Sequence, residues 1–288
     1  MKKWIASLQG GPPVSAEDQR AAIHELLAPD VPDVQKAALL ALLPPASLGE
    51  DTLQLFVDTL LEHGVAVAVP AVADIVGSGG DGQNTWNVPT PAAIVAAGAG
   101  IRMAKHGNRS ASSNSGSADL LEQFGAYLPV SPTVVPELVD RTNFSFLYAP
   151  AFHPALRNVA KVRQDLGTKT VFNFLGPLLN PAAPQYNVVG VSDRAMAEVM
   201  ARCLSRRPGV RALVVHSADG MDKISPVRNT HSWRVEGGKE PVYQLLRPED
   251  FGLVSDPAKD CGAGGGSPAH NAAALLRVLQ GTSPDPLL

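Results

Sequence analysis

"DIVGSGGDGQNTWNVPT", residues 74–90, places Gly77, Gly79, Gly80, Gly82 and Asp81 directly after an apolar run and just before an alanine-rich stretch. A short apolar run that stops at glycine reads as a buried strand, and the alanines beyond read as a helix, so the glycines lie in a strand-to-helix connection. Glycine adopts backbone conformations closed to other residues and lets N–H groups approach a ligand, which suits an anion and above all a phosphate. A flexible turn without chemistry has the same composition, so this loop alone leaves both readings open.

Upstream, residues 15–63 read as three short helices. Ser15 with Asp18, and Ser47 with Glu50, have capping-box spacing, while Pro29, Pro44, Pro45 and Gly64 supply the stops. The apolar stretch VAVAVPAVADIV at 65–76 is interrupted by Pro70 and is too short to cross a bilayer. Downstream, the pattern predicts helices over 91–104, 117–124, 194–205 and 271–280, and extended segments over 144–148, 186–191 and 211–216. CGAGGGSP at 261–268 reads as a loop. Strands alternating with helices define an α/β fold, preceded by a small helical module.

With 288 residues, 45% hydrophobic and 18% charged, the chain can bury one large domain and a small one. A net charge of −3 lacks the basic footprint of a nucleic-acid binder. The two cysteines, Cys203 and Cys261, suggest neither a disulfide framework nor a metal cluster, which fits a reducing cytoplasm. MKKWIASLQGGPP at the start has too short an apolar segment for a secretory leader.

A second polar cluster, KHGNRSASSNSGSAD at 105–119, gathers Lys105, His106, Gly107, Asn108, Arg109, Ser112, Ser113, Ser115 and Ser117. Cations and hydroxyls beside a glycine-punctuated turn make an anion cradle, although a solvated polar loop has the same look. Two such loops on either side of one helix suit a substrate with two phosphate ends. A third stretch, FSFLYAPAFHPALRNVAKVRQDLGTKTVFNFLGPLLNP, spans 144–181.

Taken together, GSGGD, KHGNR with its serines, HP…VRQDLGTKT and FNFLGPLLNP resemble the anthranilate phosphoribosyltransferase family over roughly residues 14–280. The DGQNTWN segment looks fungal, whereas KHGNR looks bacterial. The resemblance implies 5-phosphoribosyl 1-diphosphate (PRPP) and anthranilate as substrates, Mg2+ as cofactor, a role in tryptophan biosynthesis and a homodimer formed through the helical domain. It implies a helical domain of 1–64, with a helical segment about 155–180 packing on it, and an α/β domain of 65–288. The latter would have a central mixed sheet of the nucleoside phosphorylase and phosphoribosyltransferase type. Carried over by motif, Gly77, Gly79, Gly80, Asp81 and Thr85 would face diphosphate, with Asn87, Val88 and Thr90 at a helix N-terminus. Lys105, His106, Gly107, Asn108, Arg109, Ser112, Ser113 and Ser117 would hold the phosphoribosyl group. Arg163 would pair with the anthranilate carboxylate in a pocket shared with Gly77, Asn108 and His153, and Asp222 would ligate metal. No side chain is implied as an acid or base.

Three features depart from the family. Pro89 replaces a serine whose hydroxyl contacts the metal, Lys223 replaces the glutamate of a D-E pair, and the sequence stops soon after 271–280 where members continue. The first two leave a second reading open, a catalytically impaired homologue that binds a nucleotide or a protein. A pyrimidine-nucleoside phosphorylase is a weaker alternative, since KHGNR and FNFLGP match the transferase.

Overall fold

The computed structural model describes residues 1–83, 85–110, 115–254 and 264–282. Four helices come first: α1 (Lys2–Leu8), α2 (Ala16–Leu27), α3 (Asp33–Leu42) and α4 (Glu50–Glu62). Ser15 caps α2 as its spacing predicts, its Oγ accepting the Asp18 N–H at 3.1 Å. The Ser47–Glu50 box does not form. Pro44 and Pro45 start a separate 3-10 turn, the Ser47 hydroxyl donates to the Pro44 carbonyl at 2.9 Å, and α4 begins after Gly49. Helix α1 lies outside the three helices expected from sequence, being a single short segment before Gly10 and Gly11. Trp4, whose ring lies 6.1 Å from that of Phe56, anchors it, and the terminal ammonium of Met1 pairs with Glu25 at 2.6 Å.

Lys36 on α3 is 1% exposed, and its Nζ donates to the Ala28 carbonyl at 2.7 Å and to the Asn158 carbonyl at 2.9 Å. It therefore satisfies the C-terminal end of α2 and ties the N-terminal helices to a later part of the chain. Lys36→Ala removes a buried stem and two charge-assisted bonds, and is expected to lower stability by about 2–4 kcal/mol. Urea unfolding checks this; a loss below about 0.5 kcal/mol, the range of an ordinary surface substitution, would contradict it.

The described residues form a sheet of seven strands: β1 (Ala73–Gly77), β2 (Met103–Gly107), β3 (Phe144–Tyr148), β4 (Tyr186–Gly190), β5 (Arg211–Ser217), β6 (Thr230–Glu236) and β7 (Val242–Leu246). Their order is β3-β2-β1-β4-β5-β6-β7. The first five run parallel, β6 is antiparallel to β5, and β7 is antiparallel to β6, so the sheet is mixed as expected. The remaining helices are α5 (Pro89–Gly98), α6 (Ser117–Gln123), α7 (Val135–Thr142), α8 (Ala149–Phe152), α9 (Arg157–Leu166), α10 (Phe172–Leu175), α11 (Arg194–Ser205) and α12 (Pro268–Leu279).

One expectation needs correction. The helix expected over 91–104 stops at Gly98, Gly100 turns the chain at φ +92°, and Met103–Gly107 is strand β2. Lys105 and His106 thus lie in a strand flanked by β3 and β1 rather than in a loop. Residues 103–106 of this strand are buried on both faces, so it shows no alternation to read.

An apolar cluster joins Trp4, Leu26 and Phe56 of the helices to Val189, Met200 and Trp233 around the sheet, with Phe172 and Leu175 also part of it. From β1 the chain steps to β2 and β3 on one flank, then returns through β4 and β5 on the other. The carboxyl ends of β1 and β4 therefore open a crevice at the switch point, where open α/β sheets bind ligands. Among the described residues no helix is long and apolar enough to cross a membrane.

Candidate active site

The glycine-rich loop leaves β1 inside this crevice and lines a cavity of about 360 Å³. Gly79, Gly80 and Gly82 have φ of +69°, +71° and +71°, which is why the loop needs glycine there. The Ser78 Oγ accepts the Ser192 N–H at 3.0 Å and the Ser78 N–H donates to the Gly190 carbonyl at 2.8 Å, fastening the loop to the end of β4. The Gly79 N–H, expected to face a ligand, instead donates to Asp222 Oδ2 at 2.7 Å. Among the described residues the N–H groups of Gly80, Asp81 and Gly82 have no protein acceptor. The Lys169 stem lies 3.5 Å from where a Gly80 side chain would start, which brings a second cation to the loop.

Lys223 stands at the centre of the adjoining polar cluster. Its Nζ donates to Asp81 Oδ2 at 2.7 Å, to Thr85 Oγ1 at 2.8 Å and to Asp222 Oδ1 at 2.9 Å. Burial alone would pull the Lys223 pKa down, but Asp222 and Asp81 outweigh it and hold the ammonium above the usual lysine range. Asp81 is likewise raised by burial yet held below the usual carboxylate range by Lys223. Asp81 also accepts the Gln83 N–H at 3.2 Å, so its role here is to shape the loop.

At the start of α5, Asn87 Oδ1 accepts the Thr90 N–H at 3.2 Å and the Thr90 hydroxyl at 3.0 Å, while its Nδ2 reaches Ser117 Oγ at 3.3 Å. Asn87 is thus a cap that lines the cavity. Two neighbours are placed differently from expectation: Thr90 is fully buried on Asn87, and Val88 packs with Trp86 and Ala274. Pro89 occupies the first turn of the helix, where a missing N–H is tolerated.

From β2, Lys105 lines the cavity but is buried, its Nζ donating to the Ile75 carbonyl at 2.5 Å beside Asp74. Burial lowers its pKa, and Asp74 opposes the shift. Arg109 is not a free cation: it pairs with Glu122, lies 3.3 Å from Asp119 and sits 5.8 Å from the centre of the Tyr148 ring. Asp119 also accepts the Ser110 and Gly116 N–H groups at 3.0 and 2.8 Å, drawing this loop closed. Gly107, Asn108, Ser115 and Ser117 line the cavity, and the buried Ser115 hydroxyl has no partner among the described residues. Ser112, Ser113 and Cys261 lie outside the described residues.

Arg163 projects from α9 to the cavity with its guanidinium 5.2 Å from the Phe172 ring centre. Burial lowers its pKa, and no carboxylate among the described residues pairs with it. Leu156, Phe172 and Leu175 make the cavity apolar around this cation, a function that reading motifs does not assign to them. His153, expected in the same pocket, is not part of the lining. It is 2% exposed, has its Nε2 2.7 Å from the Leu179 carbonyl and packs edge-on against His106.

His106 lines the cavity with its Nδ1 at 3.1 Å from the Gly176 carbonyl. Burial, reinforced by His153, pushes its pKa down from 6.5 to about 3. Between those values the unfolded chain binds a proton that the native state refuses. This contribution to stability is therefore complete above pH 6.5 and declines as pH falls toward 3, at up to about 1.4 kcal/mol per pH unit. His106→Asn is expected to flatten the dependence of the urea midpoint between about pH 7.5 and 5. Parallel curves for the two proteins would show that His106 contributes nothing to it.

A glycine loop, a polar second loop and a half-buried guanidinium with no ion pair among the described residues, at the switch point of a largely parallel sheet, define a phosphate-binding α/β transferase. Comparison agrees: the model described as glycosyl transferase family, a/b domain matches residues 69–286. The chain is 41% identical over 277 residues to the anthranilate phosphoribosyltransferase of Schizosaccharomyces pombe, covering 93% of this chain and 77% of that one. The crystal structure of the Thermus thermophilus enzyme superposes with a TM-score of 0.86 at 38% identity, covering 98% of this chain and 84% of that one. The Saccharomyces cerevisiae enzyme in complex with PRPP and Mg gives a TM-score of 0.88 at 31% identity, covering 99% and 84%. The chain belongs to the anthranilate phosphoribosyltransferase family.

Proposed function

We propose that this chain transfers the phosphoribosyl group of PRPP to the amine of anthranilate and releases diphosphate, as a cytoplasmic enzyme of tryptophan biosynthesis that pairs through its N-terminal helices. The observation that carries the reading is Arg163, a cation without a protein partner among the described residues, in the same cavity as the glycine loop. An unpaired guanidinium in apolar surroundings calls for a carboxylate in a bidentate pairing.

In this reading the N–H groups of Gly80, Asp81 and Gly82, with Lys169, receive the diphosphate, aided by the positive end of α5. Asn108, Ser115 and Ser117, with Ser112 and Ser113, receive the ribose phosphate. Arg163 holds the anthranilate carboxylate, and Phe172 supports that guanidinium. The nitrogen lone pair of the aromatic amine forms the bond to the anomeric carbon as the carbon–oxygen bond to diphosphate breaks. The transition state has oxocarbenium character, and the extra amine proton passes to water. An aromatic amine is unprotonated at neutral pH, so positioning and charge stabilisation carry the rate without a general base.

The residues present do not fit a protein-held magnesium ion. Asp222 is engaged through both oxygens, Pro89 has no hydroxyl, and Lys223 fills the space between the two carboxylates. Among the described residues no three Asp, Glu, His or Cys side chains converge as a metal site.

The test is a stoichiometric assay that follows diphosphate release with anthranilate, with benzoate and with no acceptor. One diphosphate per anthranilate consumed, and none with benzoate, supports the transfer. Release independent of acceptor, or none at all, contradicts it and favours a binding module.

A further inference from the structure

A divalent cation bound by protein in this crevice would have to sit between Asp81 and Asp222, the two carboxylates that approach one another beside the glycine loop. That position holds the Lys223 ammonium, with Thr85 as third acceptor, at 2.7 to 2.9 Å. All three ammonium protons are used, and the side chains of Lys223 and Asp222 are each 8% exposed, so the group is enclosed as well as saturated. The far side of Asp222 fixes the Gly79 N–H at 2.7 Å, and the far side of Asp81 fixes the Gln83 N–H. One cation therefore sets both ends of the loop.

We propose that Lys223 is a built-in cation: it takes the place of a protein-held divalent ion, organises the glycine loop for diphosphate, and leaves magnesium to reach the site only as a companion of the substrate. This deepens the transferase reading and rests on it. Lys223 is a positioning residue, since its donors point to Asp81, Thr85 and Asp222 rather than outward to a ligand. Two carboxylates with one ammonium keep a net negative charge, which a divalent ion would cancel. The ammonium of Lys169, whose stem borders Gly80, adds a further positive charge beside the loop.

Two measurements decide the matter. Manganese titrated into substrate-free protein, followed by electron paramagnetic resonance, reports a protein-held ion directly. The wild type is expected to show no site tighter than about millimolar, whereas Lys223→Glu creates a third carboxylate and a site at least about tenfold tighter. Calorimetric titration with PRPP is then done in chelator and in saturating magnesium. Wild-type affinities in the two conditions are expected to agree within about threefold. Lys223→Met and Lys223→Glu are expected to lose about 30-fold in chelator, the equivalent of one or two charge-assisted bonds, and only Lys223→Glu is expected to recover with magnesium.

The proposal is overturned if wild-type protein binds manganese as tightly as Lys223→Glu, or if its PRPP affinity rises about 30-fold on adding magnesium. Should either variant fail to fold, the wild type alone decides: a manganese site tighter than about millimolar, or a gain of about 30-fold in PRPP affinity with magnesium, overturns the proposal, and the absence of both supports it. If PRPP binds under neither condition the transferase reading fails, while the manganese experiment continues to decide the role of Lys223.

Discussion

Arg163→Ala is expected to reduce kcat/KM for anthranilate by about 30- to 1,000-fold, equivalent to about 2–4 kcal/mol for a desolvated carboxylate that loses its partner. PRPP affinity should stay within about threefold, because the change leaves the glycine loop and its supports intact. The expectation follows from the position of the guanidinium on α9, against Phe172, with burial lowering its pKa and no ion pair among the described residues. Lysine at this position keeps the charge but not the planar fork, so Arg163→Lys should recover only part of the loss. Steady-state kinetics with each substrate varied in turn separates the effects. Equal loss toward both substrates would remove Arg163 from the anthranilate site.

Gly77→Ala should have the opposite signature. A methyl group there would collide with Asp222 Oδ2, the atom that holds the Gly79 N–H, while the other oxygen of that carboxylate is held by Lys223. The carboxylate cannot yield without releasing the loop. Overpacking of about 1–3 kcal/mol and loss of a charge-assisted hydrogen bond of similar size together predict a drop in PRPP affinity of order 30- to 1,000-fold. Circular dichroism should show the fold retained, since the strand continues through Val76 and its pairing with β4. Calorimetry showing unchanged PRPP affinity would mean that this loop does not receive diphosphate.

Much of the architecture is legible in the sequence because its elements carry local signals. The glycines after β1, the Ser15 cap and the helix over 194–205 are all set by residues near one another in the chain. Strand β2 escapes such a reading because a central strand covered on both faces has no alternation, and because Lys105 and His106 do not look like strand residues until Ile75 and Gly176 supply their partners. Strand β6 does carry a signal: in THSWRVE, Trp233 and Val235 are buried while Arg234 and Glu236 are exposed, a period of two that would have marked it as a strand.

The site is legible as a set of motifs but not as a set of partners. Lys223 stands out as a departure from the family, yet its contact with Asp81 joins residues 142 positions apart, and no local pattern specifies such a pair. The same holds for Ser78 and Ser192, 114 positions apart, which clasp the ends of β1 and β4. Arg109 looks like a phosphate ligand until Glu122 and Asp119 on the following helix are seen to claim it. His153 carries its family motif but does not line the cavity: it is buried, with its ring N–H donated to the Leu179 carbonyl.

The central claim is that one cavity at the β1–β4 switch point receives diphosphate on the glycine loop and a carboxylate on Arg163. A crystal structure of the protein with PRPP and anthranilate tests it most directly. The account predicts diphosphate oxygens within hydrogen-bond distance of the Gly80, Asp81 and Gly82 N–H groups, the anthranilate carboxylate on the Arg163 guanidinium, and Lys223 still between Asp81 and Asp222. Diphosphate bound away from that loop, or anthranilate seated without Arg163, would contradict it.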